Sequence, residues 1–169
     1  MRFRSVQIQP AALTLLAVLA LFLGACASGY QGPQGVAEVY LEAGRHEDAA
    51  REAEKELRRY PQNIPLRLIA AEAHAGAGNL DRAIEHLELA IDARPGDPGI
   101  SIRLGELEQR RGNLSDAYVA FRRASQLGPN EIRAWSGLAL SAEALGFELE
   151  AETAYARWAV LEQQLGLAP

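Results

Sequence analysis

The chain has 169 residues, 49% of them hydrophobic, 23% charged and 7% aromatic, with a formal net charge of −5. This balance suggests neither disorder nor a coiled-coil rod, and the acidic surplus argues against nucleic acid as the main partner, because phosphate binding needs a basic face. A single cysteine excludes both an internal disulfide framework and a cysteine-based zinc site. The first element in chain order is an address. Arg2 and Arg4 are the only charges before Glu38, and they precede an apolar run over residues 11–23 and then Gly24-Ala25-Cys26. A basic start, a short apolar stretch and small residues at its exit predict a secretory signal peptide over 1–25. The run is shorter than the ~20 apolar residues that cross a bilayer.

Leu23-Gly24-Ala25-Cys26 resembles the lipobox of bacterial lipoproteins. The resemblance implies cleavage before Cys26, a diacylglyceryl group on its sulfur and an acyl chain on its amine. Several such chains, each CH₂ contributing ~0.8 kcal/mol, anchor far more firmly than one. The next residue is Ala27 rather than Asp, which by the family's sorting rule implies the outer membrane, facing the periplasm. Residues 26–33 are then the lipidated cysteine and a short tether. Its Gly, Ser and Pro content disfavours helix, and seven flexible residues reach roughly 15 Å.

The remainder repeats. Pro61, Pro95 and Pro129 are 34 residues apart, and the same interval separates Gly44, Gly78, Gly112 and Gly146, and also Ala49, Ala83, Ala117 and Ala151. The Gly predicts a left-handed helix end, where a residue without Cβ is favoured. Asn79 and Asn113 are expected to supply polar groups at the following helix starts. The Ala marks a close approach of two helices, and the Pro stops the second helix of each pair. Apolar residues recur at helical spacing, as in Ile84, Leu87 and Ile91. The spacing predicts eight helices, over 34–43, 46–59, 64–77, 80–93, 98–111, 114–127, 131–145 and 148–165, and no strands.

This pattern resembles the tetratricopeptide repeat family over a domain spanning 34–166, in units 30–63, 64–97, 98–131 and 132–165. The family's large residue at position 24 appears as Leu87, Phe121 and Tyr155, with Ala53 a weak match, and its small position 8 as Ala37, Ala71, Gly105 and Ala139. Trp135 matches the family Trp of position 4. At position 11 Tyr40 matches, whereas His74, Glu108 and Ala142 depart from the usual Tyr. The resemblance implies an all-α, right-handed superhelical solenoid of about four helix pairs, a scaffold that serves many partners.

No catalytic pattern accompanies the repeats. His46, His74 and His86 have no ligand spacing, and no phosphate-binding loop or GxSxG elbow is present. We therefore assign no metal, cofactor or catalytic residue and expect a non-enzyme. His46 and His86 are expected on exposed faces, with His74 in the place of a packing aromatic.

The family resemblance implies that positions 2, 5, 9, 12 and 13 face a concave groove. Position 9 reads Glu38, Glu72 and Glu106, and position 5 includes Leu68 and Ile102, with Gln109 at position 12. Such a ladder predicts a partner segment that is basic and partly apolar. At the far end, Trp158, Leu161 and Leu165 are expected either to close the core, with Trp158 packed on Trp135, or to form an apolar strip for a homodimer. In plan the chain resembles tetratricopeptide repeat lipoproteins of pilus and secretion machines, namely pilotins of type IV pilus secretins and the lipoprotein of tight-adherence (Flp) pilus loci. An envelope adaptor assisting such assembly is the expected function. The alternative is an accessory factor that recruits peptidoglycan or envelope maintenance enzymes.

Overall fold

The computed structural model describes residues 35–166. The signal peptide 1–25, Cys26 and the tether 26–33 lie outside the described residues. Eight helices follow one another: α1 Gly35–Glu42, α2 His46–Leu57, α3 Ile64–Gly76, α4 Leu80–Ala93, α5 Pro98–Arg111, α6 Leu114–Leu127, α7 Ile132–Ala144 and α8 Glu148–Gln164. Each boundary falls within two residues of its sequence expectation, and no strand occurs among the described residues. Each helix packs antiparallel on the next, giving an all-α array of four pairs. No helix among the described residues is long and apolar enough to cross a membrane.

The four periodic glycines have φ between 70° and 86°, a conformation that other residues rarely adopt. At Gly112 the turn closes with two backbone bonds, Gly112 N–H to Gln109 O (3.0 Å) and Asn113 N–H to Glu108 O (2.9 Å). This nested pair satisfies carbonyls that the helix end would otherwise leave open. The same pair recurs at Gly44, Gly78 and Gly146.

The expected capping by Asn79 and Asn113 does not occur. Both residues have ψ near 70° and make no side-chain cap bond. The preceding left-handed turn fixes their backbone outside the extended region from which a cap side chain reaches inward. Caps form instead at two of the three extended entries: Asn63 Oδ1 accepts from Leu66 N–H (3.0 Å), and Asp97 Oδ1 from Gly99 N–H (2.9 Å), whereas Glu131, also extended, makes no side-chain cap bond. Proline takes an early position in both helices, where its missing N–H is not needed.

The periodic alanines are buried, three of them completely. Phe121 of α6 is the largest fully buried side chain and lies between α5 and α7. Both helices yield to it with glycine: an added Cβ would stand 2.8 Å from its ring at Gly105 and 2.4 Å at Gly137. Burying one such side chain contributes ~1.5–3 kcal/mol.

The joints between pairs are also closed by polar bonds at the prolines. Pro95 O accepts from Arg123 Nη2 (2.9 Å) and Pro129 O from Arg157 Nη2 (3.0 Å). The residue one period before Arg123 is Leu89, and Pro61 O accepts from Arg67 of the adjoining helix instead.

Candidate functional site: a charged cleft on the first helices

A cleft of about 280 Å³ opens across α3, α5 and α7, the first helices of the last three pairs. Its floor is Ala71, Ala75, Leu87 and Leu107, and its rim carries Glu72, Glu106, Arg103, Arg110 and Arg133. The small residues on α3 leave the space, and the helical spacing of the charged ones places them along one face.

The charges are paired across the joints. Arg103 of α5 lies 3.6 Å from Glu72 of α3, and Arg133 of α7 bonds Glu106 of α5. Arg110 Nη2 donates to Ala75 O (2.9 Å). The expected free acidic ladder is therefore corrected: each of these two Glu meets an Arg from the next helix pair, and the rim holds three cations against two anions. A basic segment would have to displace an arginine already in place.

The other residues expected in the groove take different places. Ile102 is 2% exposed and belongs to the core around Phe121. Leu68 is half-buried and packs against the core between α3 and α4. Neither offers a free apolar pocket, because the helix turns both toward its neighbours. Gln109 donates to Ser141 Oγ (3.1 Å), joining α5 to α7, while Glu38 is exposed on α1 away from the cleft lining. The sequence reading missed Arg110 and Arg133. They occupy positions 13 and 2, in the same concave set as position 9, so reading the whole set together would have found them.

The end face is also different from expectation. Leu161 is buried at 3% exposure, so it is core and not part of an exposed strip. Trp158 is half-buried and stacks on Tyr155, with ring centroids 6.0 Å apart, while the Trp135 indole N–H donates to Pro129 O (3.0 Å). The two indoles do not stack together. Leu165 remains exposed.

A second polar cluster lies between α2, α3 and α4. His74 is buried, and its Nε2 is 2.9 Å from Glu54 Oε1, which also accepts from Arg82 Nη1 (2.6 Å). The His86 ring stacks on His74 with centroids 5.5 Å apart. Burial, then the charges of His74 and Arg67, push His86 below the ordinary imidazole range. Burial alone would raise Glu54, but bonds from His74 and Arg82 outweigh it and hold the carboxyl below its usual range. The expectation of exposed His46 and His86 is corrected. His86 is half-buried, and His46 covers Gly76, where a Cβ would stand 2.3 Å from its Nδ1.

Comparison with known proteins agrees with the helix-pair plan. Residues 74–141 match the tetratricopeptide repeat family. A crystal structure of MamA is similar with a TM-score of 0.76 and 17% identity, over 96% of this chain and 100% of that one. Another MamA crystal structure gives 0.72 and 20%, over 84% and 78%. The first tetratricopeptide repeat domain of Spaghetti (RPAP3), bound to the HSP90 peptide SRMEEVD, gives 0.63 and 21%, over 67% and 90%. At these identities the likeness is one of fold. The family match covers residues 74–141, and the eight antiparallel helices with their four left-handed glycine turns carry the same helix-pair plan across the described residues.

Proposed function

We propose that the protein is a non-enzymatic adaptor, lipid-anchored through Cys26 at the periplasmic face of the outer membrane, whose cleft holds an extended segment of another envelope protein during assembly of a pilus or secretion complex. The observation that carries the protein-binding part is the cleft on α3, α5 and α7, apolar at its floor and charged with both signs at its rim. A domain of similar fold is recorded with a short peptide, which supports the same mode here. The lipobox at Leu23-Gly24-Ala25-Cys26 supports the anchor. The paired rim changes the expected ligand. A segment with small apolar side chains and both acidic and basic groups exchanges partners with the Glu72–Arg103 and Glu106–Arg133 pairs, at little cost because exposed pairs contribute only ~0–1 kcal/mol each.

Crosslinking in intact cells, followed by capture of the protein, tests this reading. Secretin or pilus components should be recovered with wild type and lost with the double change Arg103→Glu and Arg133→Glu, which leaves helicity unchanged. Recovery of cell-wall synthases or hydrolases instead would favour the alternative role. Cys26→Ser should abolish incorporation of a clickable fatty acid; a wild type that takes up no label refutes the anchor.

A further inference from the structure

Glu54, His74 and His86 come from three helices, yet one donor atom of each lies within 4.8 Å of the others. Tetrahedral zinc with N and O ligands places donors ~3.3–3.5 Å apart, so a modest side-chain rotation closes the set. The cluster is under-satisfied as it stands: Nδ1 of both His74 and His86 is buried with no hydrogen-bond partner among the described residues. Buried polar atoms are nearly always partnered, so two open imidazole nitrogens in one cluster with a carboxylate point to a missing ligand. The side chain of Glu54 is 31% exposed and that of Arg82 is 63% exposed, which leaves an entry path from solvent.

We propose that Glu54, His74 and His86 form a zinc-class divalent metal site, with water in the open fourth position, that ties α2 to the α3–α4 pair. Two imidazoles and a carboxylate suit Zn²⁺ far better than the oxygen-seeking Ca²⁺ or Mg²⁺. Arg82 is the competitor. It donates to the Glu54 oxygen that the metal needs and must swing outward when the metal enters. Metal binding to the folded chain alone would raise stability by mass action. The ligands span two adjacent helix pairs, so this would fasten the joint that lacks the Pro–Arg bond found at the later two.

The test uses the full chain in detergent with Cys26→Ser, which removes the one thiol able to bind zinc by itself. Titration with ZnCl₂ is expected to saturate at one ion per chain. At ~100 times Kd it should raise Tm by about 5–10 °C. Co²⁺ in place of zinc should give the visible bands of a tetrahedral ion. His86→Gln and Glu54→Gln each keep the approximate shape and should weaken binding ~100-fold or more, with folding checked by helicity. Arg82→Gln should tighten it roughly tenfold by removing the competing cation. If zinc leaves wild-type Tm unchanged, or raises it equally in His86→Gln and Glu54→Gln, the site does not exist and the cluster is a hydrogen-bond network alone. Neither outcome depends on the adaptor reading, because no partner protein enters the measurement.

Discussion

At Gly137 an added Cβ would stand 2.4 Å from the Phe121 ring, and that ring has no free space to retreat into. Alanine improves helix propensity by ~1 kcal/mol, while overpacking a filled core costs ~1–3 kcal/mol. Gly137→Ala should therefore destabilise by up to ~2 kcal/mol, read as a drop in denaturation midpoint at unchanged m-value. Glu108 behaves in the opposite sense. It is 4% exposed, Oε2 has no partner, and its nearest cation is Arg111 at 3.9 Å. Burial raises its carboxyl above the usual range. The folded state thus holds the proton more tightly than the unfolded state. The destabilisation is complete above the folded pKa and disappears as pH falls below the unfolded value. Glu108→Gln should raise Tm at neutral pH by about 2–4 °C, and the gain should shrink in mild acid. Phe121 was legible in the sequence, because position 24 and the small position 8 recur every 34 residues. The place of Ile102 was not. Its position in the series assigns it to the groove, whereas its packing against the Phe121 core decides otherwise.

Among the elements, helix boundaries were readable because glycine, proline and apolar spacing all mark the same points. The caps were less so, since Asn before a helix looks alike in both kinds of entry. What separates them is the preceding turn. Asn63 enters from an extended backbone with ψ 98° and caps α3, whereas Asn79 leaves a left-handed glycine with ψ 66° and caps nothing. Asn63→Ala should cost ~1 kcal/mol, and Asn79→Ala should stay within ~0.5 kcal/mol of wild type. Equal losses in paired urea titrations would overturn this account. The histidine cluster was hidden for a related reason. His74 and His86 stand twelve residues apart on opposite arms of a helix hairpin, a separation outside the short ligand spacings that sequence motifs record.

Across the whole molecule, each helix pair is stabilised chiefly by its neighbours, so the ends have the least support. α1 has eight residues and leaves Val36 and Val39 each 48% exposed, whereas α5, α6 and α7 enclose Phe121. Native-state hydrogen exchange should show the amides of α1 opening first and those of α5–α7 last; uniform protection would mean that the array unfolds as one block. The Pro–Arg bonds have a mechanical consequence. Pro95 and Pro129 are each pinned to the second helix of the next pair, and Pro61 is not. The first joint is held instead by the Glu54 carboxylate of α2, gripped by His74 and Arg82 of the next pair. Salt screens exposed charge pairs, so rising ionic strength should loosen the first pair from the array before the joints at Pro95 and Pro129.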